Sequence, residues 1–166
     1  MQLTVTTHSA GLGEMTVVRD SDAVLAARGL GSCVGIAAYE PHRRIAIMAH
    51  VMLPGPVSSL PDPAQPARYA SHAVDSIIKA VEKHGGRPRD LVIKLAGGAQ
   101  VIQLHGKDDR LRVGERNISA VREALAAKGL RASAEHMGGS TGRTLCLNAA
   151  TGHTTVRVVG GQEQPL

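Results

Sequence analysis

Gly29-Leu30-Gly31-Ser32-Cys33-Val34-Gly35-Ile36-Ala37-Ala38-Tyr39-Glu40-Pro41-His42-Arg43-Arg44-Ile45-Ala46-Ile47-Met48-Ala49-His50-Val51 decides how the rest of the chain is arranged. Val34, Ile36 and Ala38 alternate with Cys33, Gly35, Ala37 and Tyr39, the period-2 pattern of a strand. Glu40-Pro41-His42-Arg43 reads as a turn, because proline fixes φ and its neighbours are polar. Ile45, Ile47, Ala49 and Val51 then alternate with Ala46, Met48, His50 and Met52 as a second strand. So short a link predicts an antiparallel pair. Placing Tyr39 opposite Arg44 sets Cys33 opposite His50, with Cβ atoms roughly 4.5–5.5 Å apart. A one-residue slip would turn His50 to the other face. This register puts Val34, Ile36, Ile45 and Ile47 on one face, and Gly35, Ala37 and Ala46 on the other with Cys33 and His50.

A thiol beside an imidazole supplies a nucleophile and its base. Cys33 and His50 are therefore the candidate catalytic pair. The same pair suits plain packing as well; the glycine turn before Cys33 and the predicted pairing bring chemistry level with it and leave both readings open. Gly29 and Gly31 let successive N–H groups point into one space, a nest suited to an anion. The backbone N–H groups of Ser32 and Cys33 are thus the candidate oxyanion donors. The turn is not a dinucleotide fingerprint, since Val34 stands where its third glycine would fall.

The 166 residues predict one domain, residues 1–166, with 160–166 a frayed tail. With no Phe or Trp and only Tyr39 and Tyr69, the core is built from aliphatic residues. No apolar run reaches the roughly 18 residues of a membrane span. Met1 to Thr7 lack a signal-peptide pattern, so the expectation is a cytoplasmic chain with no membrane insertion. Cys146, in Thr144-Leu145-Cys146-Leu147, reads as an inert strand thiol, and no disulfide is expected. None of the eight histidines pairs with a cysteine in a metal motif, so neither metal nor cofactor is expected. The net charge of +5 suits an acidic protein surface. The near absence of stacking aromatics argues against nucleic acid.

Along the chain, residues 3–6 and 15–18 read as strands, 23–27 as an extended run whose alanines would also allow a helical turn, and the proline-rich stretch 54–66 as a loop beyond His50. Ala70, Ala73, Val74, Ile77, Ile78 and Val81 mark one face of a helix, with His72 and His84 on its solvated side. Residues 91–96 predict a strand, 100–114 an exposed loop, 117–128 a second helix and 130–136 another strand. Leu145 and Leu147 pair with Val156 and Val158 across a closing hairpin. The sum is a mixed, largely antiparallel sheet layered with two helices.

Several motifs occur in one order: Gly29-Leu30-Gly31-Ser32-Cys33-Val34, Met48-Ala49-His50-Val51-Met52-Leu53-Pro54, Leu95-Ala96-Gly97-Gly98-Ala99, Val113-Gly114-Glu115-Arg116-Asn117, Gly138-Gly139-x-x-Gly142-Arg143 and Thr151-Gly152. In this order and spacing the chain closely resembles the CheD chemoreceptor glutamine deamidases of bacterial chemotaxis, from about Gly11 to Val159. The resemblance implies a three-layer α/β sheet sandwich with two main helices, similar in its core to deamidating toxins of the cytotoxic necrotizing factor type. It implies hydrolysis of particular glutamines on the cytoplasmic helices of methyl-accepting chemoreceptors, with Cys33 as nucleophile and His50 as base. It also implies a CheC-type phosphatase as partner. Ala27 departs from the family pattern, which usually has there a threonine whose hydroxyl assists the histidine. Ser71 and His136 stand where the family often shows aspartate. A rival expectation from another class is a CheD-like binding module that only docks on a phosphatase or a receptor.

Overall fold

The computed structural model describes residues 4–55, 59–101 and 112–166. Its strands are β1 (Thr7–Ser9), β2 (Met15–Arg19), β3 (Val24–Leu30), β4 (Val34–Glu40), β5 (Ile45–Val51), β6 (Val92–Gly97), β7 (Ala134–Met137), β8 (Arg143–Asn148), β9 (Thr154–Val158) and β10 (Glu163–Pro165). Helices α1 (Ala70–Lys83) and α2 (Val113–Ala127) lie between β5 and β6 and between β6 and β7. One five-stranded sheet runs β2-β5-β4-β6-β7 and the other β1-β3-β8-β9-β10. Both are mixed: only β6–β7 and β1–β3 are parallel. Helices cover one face of the first sheet and the second sheet covers the other, giving the expected three layers.

Two apolar layers hold the sandwich together. Val34, Ile36, Ala38, Ile45, Ile47, Ala49 and Val51 pack against the buried stripes of both helices. The opposite faces of the same strands, including Ala37, Tyr39, Ala46 and Met48, pack against Leu25, Leu30, Leu145 and Leu147 of the second sheet. Every residue of β4 and β5 is buried, because both faces of the central strands are covered. The expected division of side chains between faces holds. Tyr39 also explains Thr151-Gly152: a Cβ at Gly152 would stand 2.4 Å from the Tyr39 ring, so only glycine fits beneath it.

The register of the β4–β5 hairpin differs from expectation. Gly35, not Cys33, lies opposite His50, and Tyr39 faces Ala46. The reason lies in the turn. Arg44 adopts φ 53, which takes it out of the strand. The Glu40 carboxylate accepts the N–H groups of His42 (3.1 Å) and Arg43 (2.6 Å), closing a loop at Glu40 and Ile45. The shift is two residues, so face parity survives.

Other boundaries also move. The first strand is Thr7–Ser9 rather than 3–6, because its parallel pairing begins at Thr7 and Val24. Helix α2 starts four residues early and includes Gly114, a poor helix former. A Cβ at Gly114 would lie 2.6 Å from the Ala99 carbonyl oxygen, so glycine allows the helix to approach that backbone. Strand β7 begins at Ala134, since residues up to Leu130 close α2. His72 is buried rather than solvated, in edge-on contact with the Tyr69 ring at 5.5 Å. The tail is not frayed: β10 pairs with β9, Leu166 N–H donates to the Thr154 carbonyl, and Lys94 Nζ donates to the Leu166 oxygen. Most of the expected 100–114 loop, residues 102–111, lies outside the described residues, as do 56–58 of the proline-rich stretch.

Candidate active site

Cys33 sits one residue before β4, half-buried against the layer between the two sheets. Its packing against that layer puts it on the face that Gly35 lines, and His50 lies opposite Gly35. Cys33 and His50 are thus not the directly facing pair that the sequence predicts. Gly35 between them carries no side chain, and a Cβ there would meet Leu145 and Leu30 at 3.1 Å and the Ala27 methyl at 3.5 Å.

His50 is held by the loop between β1 and β2. Its N–H donates to the Glu14 carbonyl and its carbonyl accepts from Gly13, both at 3.0 Å. Nδ1 lies 2.9 Å from the Ala10 carbonyl oxygen. A carbonyl only accepts, so Nδ1 carries the proton and Nε2 presents its lone pair. Nε2 is buried and has no hydrogen-bond partner among the described residues. Ala10 therefore supplies the orienting group. Ala27, where the family threonine usually stands, is fully buried and brings only a methyl to the neighbourhood of Gly35.

The electrostatics favour a neutral pair at rest. Burial pushes the His50 imidazole below its ordinary 6.5, opposed by the Ala10 hydrogen bond and the Glu14 charge. Burial likewise pushes the Cys33 thiol above its ordinary 9.0. The neutral imidazole is a base with an open nitrogen, and the thiol keeps its proton until that base takes it.

The turn that delivers Cys33 is clamped from the exit of β6 and from α2. Ala99 N–H donates to the Gly31 carbonyl at 2.7 Å, and Gly98 N–H to the Cys33 carbonyl at 2.8 Å. Asn117 Nδ2 donates to the carbonyls of Ser32 (2.8 Å) and Met52 (3.0 Å). Gly97, at φ 118, comes so close that a Cβ there would stand 2.1 Å from the Cys33 carbonyl oxygen. Among the described residues, the N–H groups of Ser32 and Cys33 have no acceptor, as oxyanion donors require. Ala10, Gly97 and Asn117 were not singled out as site residues from sequence. For the latter two the only signal was their membership of Leu95-Ala96-Gly97-Gly98-Ala99 and Val113-Gly114-Glu115-Arg116-Asn117.

Cys146 lies on the second sheet, in a groove with Arg28, Thr155, Arg157 and Glu163, and burial raises its thiol too. Glu40, His42 and Asp90 bring donor atoms within 4.8 Å of one another at the far end of β4 from Cys33. Two of these groups are already engaged. The Glu40 carboxylate holds the turn N–H groups, and Asp90 pairs with Arg87 at 2.9 Å.

Fold and site together define a three-layer α/β protein that presents one thiol and one imidazole of fixed tautomer on the face between its sheets. The sequence model of the CheD family, described as CheD chemotactic sensory transduction, matches residues 52–158. A protein of Symbiobacterium thermophilum named "Probable chemoreceptor glutamine deamidase CheD" is 43% identical over 96% of both chains. The "Chemoreceptor glutamine deamidase CheD" of Halalkalibacterium halodurans is 35% identical over 94% of this chain and 96% of its own. Among solved structures, the C-terminal domain of CNFy from Yersinia pseudotuberculosis aligns at TM-score 0.40 and 7% identity, covering 96% of this chain and 61% of that one. That last likeness is too loose to bear on the argument. The chain belongs to the CheD family. Among the described residues, no helix is long and apolar enough to cross a membrane.

Proposed function

We propose that the chain is a chemoreceptor glutamine deamidase, a hydrolase of carboxamide C–N bonds, with Cys33 as nucleophile and His50 as base. The observation that carries the assignment of residues is the His50 tautomer. Nδ1 is tied to Ala10 and Nε2 is left open on the face that Cys33 shares. Family membership and the relatives' names supply the substrate class.

The steps follow from the groups present. Nε2 takes the Cys33 thiol proton as sulfur attacks the carboxamide carbon of a glutamine. The carbonyl π pair moves to oxygen, and the N–H groups of Ser32 and Cys33 stabilise that oxyanion. Collapse breaks the C–N bond, and His50 returns its proton to the departing ammonia. Water, deprotonated by His50, then attacks the thioester. Glutamate leaves and the thiol is restored. The residues account for every proton, so the reaction is written without metal or cofactor.

The resemblance extends the proposal to partners and place: the cytoplasmic helices of methyl-accepting chemoreceptors as substrate, a CheC-type phosphatase as binding partner, and the cytoplasm as compartment. The net charge of +5 favours acidic surfaces on both. The test is incubation with receptor followed by peptide mass spectrometry, with Cys33→Ala and His50→Ala as controls. Conversion of glutamine to glutamate that either substitution abolishes is the expected result. Binding without conversion would leave only the docking module.

A further inference from the structure

The turn before β4 has an unusual backbone arrangement. In a regular strand, successive carbonyls alternate in direction. Here three in a row, those of Gly31, Ser32 and Cys33, are each held, by Ala99, Asn117 and Gly98 respectively. Two struts are backbone N–H groups at the β6 exit, and the middle one is the Asn117 side chain. In a trans peptide the C=O and N–H of one plane point in opposite directions. The grip on the Gly31 carbonyl therefore aims the Ser32 N–H, and the grip on the Ser32 carbonyl aims the Cys33 N–H.

We propose that Asn117 is a positioning residue for the oxyanion hole, fixing the Ser32–Cys33 peptide plane so that the Cys33 N–H faces the reacting oxygen. The proposal rests on the reading of Cys33 as nucleophile. Asn117 is fully buried, on the second turn of α2. Both of its acceptors are carbonyls, which settles the amide orientation. Its Oδ1 is then buried with no partner among the described residues. An unpaired buried acceptor is destabilising, so stability alone does not account for an amide at this place. Nor does the second bond, to Met52, set the spacing of the thiol and imidazole. The β4–β5 ladder does that, running through Gly35–His50 to Val34–Val51. What Asn117 alone holds is the plane of one peptide.

Two reactions at the same sulfur separate these roles. Alkylation of Cys33 by iodoacetamide is displacement at a tetrahedral carbon and builds no oxyanion. Acylation by p-nitrophenyl acetate forms an S–C bond through a tetrahedral oxyanion and expels p-nitrophenolate, with the thiol proton passing to His50. Asn117→Leu keeps the branching of the side chain and removes the donors together with the unpaired oxygen. Asn117→Asp keeps the shape and sets an oxygen against the two carbonyls. Both variants are expected to alkylate within a few-fold of the unaltered chain. Acylation, and kcat for receptor deamidation, should fall about 100-fold with KM unchanged, the scale of a lost oxyanion donor. His50→Ala should instead slow alkylation and acylation together.

Alkylation falling in step with acylation in the Asn117 variants, or acylation left unchanged, would overturn the proposal. So would failure of both variants to fold, which would make Asn117 a structural residue. If Cys33 acylates with the expected dependence on Asn117 while receptors stay unmodified, the deamidase reading fails and the role of Asn117 stands.

Discussion

Replacing Gly97 by alanine tests whether the backbone at the end of β6 sets the position of the nucleophile. Gly97 sits at φ 118, and an added Cβ would stand 2.1 Å from the Cys33 carbonyl oxygen. Real contacts of this kind stay beyond 3.0 Å, so the Cys33 peptide or the β6 exit must move by about 1 Å. A displacement of that size at a reacting group costs about 100-fold in rate. Positive φ on an L-residue adds strain of about 1–2 kcal/mol. Gly129→Ala separates the two effects. Gly129 has φ 71 with nothing within 4 Å of the added Cβ, so it carries backbone strain without the clash. Both variants should therefore melt at lower temperature, by about 2–4 °C for each 1 kcal/mol in a domain of this size. Only Gly97→Ala should also lose deamidation, measured as kcat on receptor at a temperature where both are folded. Equal activity in the two variants would refute the claim that Gly97 admits the nucleophile turn to its working position.

Three further outcomes follow from the same geometry. Burial lowers His50 below 6.5, so the neutral base persists to that pH, and the acid limb of kcat/KM should fall below 6.5. Stability has the same sign: the unfolded chain takes up the proton first, so unfolding free energy drops as pH falls from 6.5 through the lower folded value. A limb centred above 6.5 would contradict the burial of the ring. Ala27→Thr puts a hydroxyl beside Gly35, where Ala10 already orients His50, so kcat should not rise, while overpacking a full site costs about 1–3 kcal/mol. A several-fold rise in kcat would show that the Ala10 carbonyl does not suffice to orient the imidazole. His136→Asp gives buried Arg143 a carboxylate where Nη1 now meets His136 Nδ1 at 2.8 Å. The new pair would be ionised on both sides, where now only the arginine is charged, so Tm in a thermal melt should rise. A lower Tm would show that desolvation outweighs the new pair.

The alternation of residues 33–51 was enough to define two antiparallel strands and to sort their side chains between helix and sheet layers. It placed Cys33 and His50 on the same face, because face membership depends only on whether a position is odd or even. The same pattern is unchanged by a shift of two residues, so it did not determine which residue faces His50. The turn decided that, through Arg44 at positive φ and the Glu40 carboxylate. Helix α1 was legible from its apolar spacing, whereas the first turn of α2 was hidden by a glycine needed for close approach to Ala99. Ala10, 40 residues from His50, and Asn117, 85 residues from Ser32, belong to the site through bonds to carbonyls. Every residue type offers the same carbonyl, so such contacts leave no periodic trace in a sequence. Only the packing of α2 and the β1–β2 loop onto the central strands brought them there.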